Sequence, residues 1–439
     1  MKFKLFIIFI IAFVILSAQG DFFSMYLDSL ETAFAKDDFN STSKFYNILI
    51  NFDPDRFEPY YYYGYSLYKN KFIKEAVQNI GKSVEINPTE DNYILYTKVL
   101  YDYDIKLFRQ SLNTALSAYP TSIELNSAKM DYFNRFNEPE SAYSYASYVI
   151  KSNPNDAGAL YALAKFEASR ENYTPSVAYL VKLLSLKNVK NEDYLLAGRI
   201  YSDAKNYIAS NKAFYKIAAS PYRYYALHHI TDNYFAMEIF DSASFILDSL
   251  IKYYPDSISA YSKILAIASK KKDASILDSL YAKIKINNIS DSTLLDNFAY
   301  QLFKYDKYTE ASAVYKTLYD SFENFANKES VQTFFFTKNY AMSKSLINRF
   351  NMKNRSDSLF VYKYNAMIFY KENKPDSSEY YFERAFYMND SDTIMIKNLS
   401  NVYYINQKIV KLSELIENLK DKYPSLYEAL NSKYFPKQE

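Results

Sequence analysis

An all-α solenoid of about twelve antiparallel helix-turn-helix repeats, each about 34 residues long, is the fold class this sequence predicts, and three observations predict it. Seven of the twelve prolines (Pro54, Pro88, Pro120, Pro154, Pro221, Pro255 and Pro424) stand at or close to multiples of about 34 residues apart. The segments before them, such as "AVQNIGKSVEINP" and "ASFILDSLIKYYP", carry apolar or small residues at three- and four-residue spacing, the pattern of an amphipathic helix. Proline then stops the helix, because it lacks an N–H and crowds the preceding turn. Pro139, Pro175 and Pro375 lie half a repeat away, where a proline in the first turn of a second helix is tolerated.

The elements follow in chain order. The N terminus reads "MKFKLFIIFIIAFVILSAQG": Lys2 and Lys4 form a positive region, Leu5 to Leu16 an apolar stretch, and Ala18-Gln19-Gly20 a small-x-small cleavage site. Residues 1–20 are thus expected to be an export signal, with Asp21 as the mature start. The alternative is an uncleaved anchor formed by residues 5–18, although the apolar run is shorter than the roughly 20 residues that span a bilayer. Repeats are expected over residues 21–424, beginning near 23, 57, 89, 123, 157, 191, 224, 258, 292, 324, 359 and 393. The units over 258–291 and 324–358 fit the pattern poorly, and residues 425–439 are expected to form a capping helix and tail.

Within the units, one set of positions recurs. "EPYYYYGYSLYKNKFIKEAVQNIGKSVEINP" supplies Tyr60, Tyr63-Gly64, Leu67, Ala76, Ile80, Ser83 and Pro88. Later copies supply Leu160, Leu163-Ala164, Ser176, Leu180 and Leu183; Tyr194, Ala197-Gly198, Tyr201, Ser210, Phe214 and Ile217; and Leu227, Ile230-Thr231, Tyr234, Ala243, Leu247 and Leu250. This pattern resembles the tetratricopeptide repeat family over nearly the whole chain after residue 20. Phe108, Leu277 and Leu412 depart from it by placing a large residue where the family has a small one. The resemblance implies a right-handed superhelical solenoid whose concave face, lined by the first helix of each unit, holds peptides or partner proteins. Gly64 and Gly198 fall at the helix-contact position, where a missing side chain lets paired helices approach.

Composition excludes several function classes. The 52 basic and 50 acidic residues are interleaved, so no basic face for nucleic acid exists beyond the triplet Lys270 to Lys272. There is no cysteine, hence neither a disulfide framework nor the lipidated cysteine of a bacterial lipoprotein. That combination of leader and cysteine-free chain points to a bacterial periplasm or exterior. No glycine-rich phosphate loop occurs. The only histidines, His228 and His229, are adjacent and about 100° apart on a helix, which cannot grip one metal ion. The tripeptide "DSL" recurs at Asp28, Asp248, Asp278 and Asp357 in different phases of the repeat, which argues against a shared catalytic role. No cofactor, no metal and no catalytic residue are expected.

First-helix positions not used for packing are the candidate protein-binding groove. They are Tyr61, Tyr65, Tyr68, Tyr93, Tyr101, Tyr161, Lys165, Arg199 and His228, followed by Asp232, Phe235, Tyr300, Phe303, Lys363, Tyr370, Lys397, Asn401 and Tyr404. Tyrosine and arginine suit such a role because they combine large contact area with a polar handle. The expected function is a non-catalytic interaction scaffold in the cell envelope or exterior, binding a peptide or protein segment. Its alternatives are a membrane-tethered envelope assembly factor and, with least support, a carboxylate-based hydrolase.

Overall fold

A computed structural model of the chain describes residues 22–219 and 221–436; the leader expected over residues 1–20 lies outside them. Among the described residues there are twenty-five helices and no strand. Two compact units divide at Asn233/Tyr234. The first contains α1 (22–35), α2 (Phe39–Phe52), α3 (Phe57–Lys69), α4 (Ile73–Ile86), α5 (Glu90–Tyr103), α6 (Ile105–Ala118), α7 (Ile123–Arg135), α8 (Pro139–Ser152), α9 (Ala157–Ser169), α10 (Tyr173–Leu184), α11 (Asn191–Asp203), α12 (Tyr207–Ile217) and most of α13 (Arg223–Ala236). The second contains α14 (Phe240–Tyr253), α15 (Ile258–Lys271), α16 (Ser275–Ile286), α17 (Ser292–Lys304), α18 (Tyr308–Ser321), α19 (Lys328–Phe336), α20 (Tyr340–Arg349), α21 (Arg355–Lys371), α22 (Pro375–Met388), α23 (Thr393–Ile405), α24 (Ile409–Glu417) and α25 (Pro424–Tyr434).

Odd-numbered helices through α23 are first helices and even-numbered ones second helices. Eleven of the connecting turns share one geometry, with Asp37, Lys71, Asn137, Glu171, Lys205, Glu238, Lys272, Asp306, Lys338, Asn373 and Gln407 at φ between 53° and 69°. The N–H that follows each of these residues returns to a carbonyl five positions back, as from Phe72 to Leu67 (3.0 Å) and from Asn172 to Glu167 (2.9 Å). This is a Schellman closure, which normally recruits glycine; here no described glycine has a positive φ. Between α5 and α6 the closure is absent. There the extended Asp104 ends one helix and caps the next, its carboxylate accepting the N–H groups of Lys106 and Leu107 at 3.0 Å.

Connections between hairpins follow from the prolines. The residue before each one, Asp53, Asn87, Tyr119, Asn153 and Tyr254, has φ between −146° and −126°, because a following proline excludes the helical region. Pro424 behaves differently: it is the first residue of α25, so it starts a helix instead of trailing one. Pro139 and Pro375 likewise open α8 and α22.

Small residues of the second helices meet the backbone of the first. Ala76, Ala142, Ala243 and Ala311 are fully buried. Where the residue is serine its hydroxyl donates to the first helix: Ser176 to the Ala164 carbonyl and Ser210 to the Gly198 carbonyl (both 2.7 Å), Ser343 to Val331 and Ser378 to Ala366 (both 2.9 Å). Phe108, Leu277 and Leu412 replace this small residue with a buried large one.

Both poorly fitting segments are helical hairpins. In one, Leu277 stands where the small residue belongs. In the other, residues 322–326 stay out of the helix and Asn327 caps α19 at its Ser330 N–H (2.8 Å), so the first helix begins at Lys328 instead of near 324. The α21 helix also starts early, at Arg355 instead of near 359, capped by Asn354 on the Asp357 N–H (3.0 Å).

Ion pairs join neighbouring hairpins at repeat spacing: Lys69–Asp37 (2.6 Å), Lys271–Asp241 (2.8 Å), Lys307–Asp278 (2.7 Å), Lys344–Glu372 (2.7 Å) and Lys422–Asp390 (2.7 Å). Such surface pairs contribute about 0–1 kcal/mol each. Pairs of this kind also engage three of the four "DSL" aspartates, Asp248 with Lys283, Asp278 with Lys307 and Asp357 with Lys328.

Candidate functional site

First helices of consecutive hairpins in the first unit bring the predicted tyrosines into two concavities. One, of about 440 Å³, is bounded by Phe34 of α1, Phe57, Tyr61, Tyr62 and Tyr65 of α3, and Asp91 of α5. The ring of Phe34 lies 5.3 Å from Tyr62 and 5.4 Å from Tyr65, and Tyr61 meets Tyr62 edge-on at 5.4 Å. Tyr62 hydrogen-bonds Glu31, and burial together with that carboxylate pushes its phenol up to about 12. The other half of the cluster faces away: Tyr63 stacks on Tyr46 of α2 at 4.2 Å and Tyr60 meets the same ring at 5.7 Å.

A second concavity, of about 540 Å³, spans α3, α5 and α7. Tyr68, Ile94, Tyr101 and Ile123 give it apolar walls above the buried Phe108, and Asp102, Glu124, Asp131 and Asp156 stand around it against the single lysine Lys98. The Tyr101 hydroxyl donates to the Asp131 carbonyl (3.3 Å), and the Arg135 guanidinium covers the Tyr101 ring at 5.0 Å while pairing with Asp102 at 3.3 Å. Asp131 keeps a solvent-facing side, yet the crowding of its carboxyl by protein, followed by the charge of Asp156, pushes it up to about 6.

Farther along the first helices, the charge at the expected positions changes sign. Lys165 of α9 is held below the usual lysine range by burial and then by the Arg199 charge. The half-buried Tyr161 is raised, first by burial and then by Asp193, with Arg199 opposing. Arg199 and Asp232 are exposed. His228 and His229 do not converge: the first meets Tyr224 at 4.4 Å, and the second stacks on Phe214 at 5.0 Å.

Tyr93 departs from the expectation. It is 8% exposed, its ring 6.3 Å from Tyr119 in the core around Leu100 and Leu112. The reason is its partner: in the first turns of α5 it faces Tyr119, the residue that ends α6 of the same hairpin.

In the second unit the expected groove residues are largely engaged already. Phe235 packs on Phe240 at 5.3 Å, and Phe303 on Tyr308 at 5.6 Å. The Lys363 ammonium pairs with Asp392, and Asn401 donates to the Tyr370 hydroxyl while accepting from Tyr434 of α25 (3.2 Å). The Tyr434 ring also lies 5.1 Å from Tyr404, which stays exposed, so the last helix contacts two of the expected positions. Tyr300 and Lys397 remain exposed.

Sequence reasoning missed the carboxylates of the second concavity. The signal was present, since Asp131, Lys165 and Arg199 fall one repeat apart at the same first-helix position. It also missed a buried network in which Asn233 accepts from Ser202 (2.8 Å) and donates to Ser210 (2.7 Å) and Asn211 (2.8 Å). That network brings together three first- and second-helix segments that sequence spacing does not connect.

The described chain is therefore a helical-repeat protein, and paired helices closing on small residues, with a Schellman turn that recurs about every 34 residues, give it a tetratricopeptide-like architecture. No family model and no curated protein matches the sequence. Similar solved structures include PilF of Pseudomonas aeruginosa, at 13% identity over 46% of this chain and 93% of that one with a TM-score of 0.40. A tetratricopeptide repeat protein from Parabacteroides merdae matches at 15% identity over 55% and 97% with a TM-score of 0.38. YrrB, a tetratricopeptide-repeat protein with an unusual peptide-binding site, matches at 19% identity over 40% and 90% with a TM-score of 0.35. Among the described residues, no helix is long and apolar enough to cross a membrane.

Proposed function

We propose that the protein is an exported, non-catalytic scaffold that binds an extended segment of a partner protein along the first-helix face of its first unit. The observation that carries this reading is the pair of concavities built from α1, α3, α5 and α7, which gather Tyr61, Tyr65, Tyr68 and Tyr101 from successive repeats. Successive pockets along one face suit a chain that runs across the hairpins, and tyrosine supplies contact area at low cost in side-chain freedom. Lys165 and Arg199 continue the same face with positive charge. Tyr300, Phe303, Tyr370, Lys397 and Tyr404 are its counterparts in the second unit.

Site-specific photocrosslinking tests the reading. A benzophenone amino acid at Tyr65 or Arg199, in the producing cell, is expected to give discrete protein adducts, whereas one at the exposed second-helix residue Ile208 gives none. Equal labelling from all three positions, or no adduct from any, overturns it. Export rests on the leader-like N terminus, and N-terminal mass spectrometry is expected to find Asp21; a mature chain retaining residues 5–18 establishes the tether instead.

A further inference from the structure

The concavity between α5 and α7 has a composition unlike the rest of the groove. Four carboxylates stand around it against one lysine, and one of the four, Asp102, is already matched by Arg135. No ion pair reaches Glu124, Asp131 or Asp156 among the described residues. Asp156 is fixed in place as the N-cap of α9, accepting the Ala159 N–H at 2.8 Å. Asp131 is one of its charged neighbours, and the absent side chain of Gly158 keeps the space beside the Asp131 carboxylate open, since a Cβ there would stand 3.3 Å from its oxygen. Above the carboxylates, Tyr68, Ile94 and Ile123 present apolar surface.

We infer that this concavity receives a lysine or arginine side chain of the bound protein segment, its methylene stem against Tyr68, Ile94 and Ile123 and its charged head between Asp131 and Asp156. This deepens the proposed function and rests on it. The occupant follows from charge complementarity. An anionic side chain adds like charge beside Asp131 and Asp156, which the Lys190 charge offsets only in part, whereas a cation pairs with both carboxylates at once. A long cationic side chain also matches the layered lining, because its stem is apolar and only its tip is charged. The faces of the neighbouring tyrosines already attract cations, with the Lys98 ammonium 5.9 Å from the Tyr68 ring and Arg135 over Tyr101. Burial first, and the charge of Asp156 second, hold the Asp131 carboxyl above the usual carboxylate range, with Lys190 opposing.

The test uses the full mature chain and three synthetic peptides of alternating glycine with lysine, norleucine or glutamate, titrated by fluorescence anisotropy at fixed ionic strength. The lysine peptide is expected to bind at least tenfold more tightly than the norleucine peptide, which has a similar stem without the charge, and the glutamate peptide not to bind. Asp131→Asn is expected to weaken the lysine peptide about tenfold, while Asp320→Asn, an exposed carboxylate in the other unit, leaves it unchanged. Lysine-peptide affinity is also expected to fall between pH 7.5 and 5.5 and to lose that dependence in Asp131→Asn. The other charged groups facing Asp131 are Asp102, Glu124, Asp156, Lys98, Arg135 and Lys190. Equal weakening by the two variants, or equal binding of lysine and norleucine peptides, overturns the inference. Discrete photoadducts at Tyr65 or Arg199 alongside such a result leave the scaffold reading standing and remove only the cation pocket.

Discussion

Replacing Gly198 by alanine measures how closely the paired helices approach. A Cβ at Gly198 would lie 2.6 Å from two ring carbons of Phe214 and 2.8 Å from a third, against the 3.5–4.0 Å at which carbon atoms rest in contact. The Phe214 ring is fully buried and stacked on His229 at 5.0 Å, so it has no room to retreat by the ~1 Å required. Overpacking of this kind costs about 1–3 kcal/mol, and the rigid ring puts this site near the upper end. Alanine returns about 1 kcal/mol through helix propensity, leaving a net loss of about 2 kcal/mol. Gly81 provides the contrast. A Cβ there meets only the outer edge of the Tyr96 ring at 3.2–3.4 Å, and that half-buried ring can shift, so Gly81→Ala is expected to be neutral or to gain up to about 1 kcal/mol. Urea unfolding of the two single variants, followed by circular dichroism, separates them. A Gly198→Ala midpoint equal to or above that of the parent would show that the first and second helices do not pack as closely as described.

Glu171→Gly and Lys338→Gly, at left-handed turn residues, are each expected to stabilise the fold by about 0.5–1 kcal/mol, read as a raised unfolding midpoint. Asn233→Ala removes two buried hydrogen bonds and one half-buried one and strands the Asn211 amide oxygen; a loss of about 2–3 kcal/mol is expected in the same assay. Asp131 has a pH signature in stability as well. Its folded protonation point near 6 lies above the ordinary 3.8, so between those values the folded chain holds a proton that the unfolded chain has released, and this contribution is lost as pH rises through the window. With solvent screening allowed for, Asp131→Asn should exceed the parent by about 1 kcal/mol at pH 7.5 and match it near pH 3.5, read from unfolding midpoints at the two pH values.

The sequence by itself determined the helical hairpin and its period. Proline placement dictates where a second helix ends, small residues mark where helices touch, and both act within a few residues of themselves. The first helices therefore begin within a residue or so of the expected positions at Phe57, Glu90, Ile123, Ala157, Asn191, Ile258, Ser292 and Thr393. Where a cap overrides the period, as Asn327 and Asn354 do, the boundary moves. The division of "YYYYGYSLY" was also legible, because alternate faces of one helix fix that Tyr60 and Tyr63 meet Tyr46 while Tyr61 and Tyr65 do not. Only the tertiary structure decided which groove residues are free. It buried Tyr93 in the core beside Tyr119, brought Asn401 and Tyr404 against the terminal helix, and gathered Asp131 and Asp156 into one concavity. Those outcomes depend on which neighbouring hairpin supplies the facing side chain about one repeat away, and periodicity states that two positions recur without stating what stands between them.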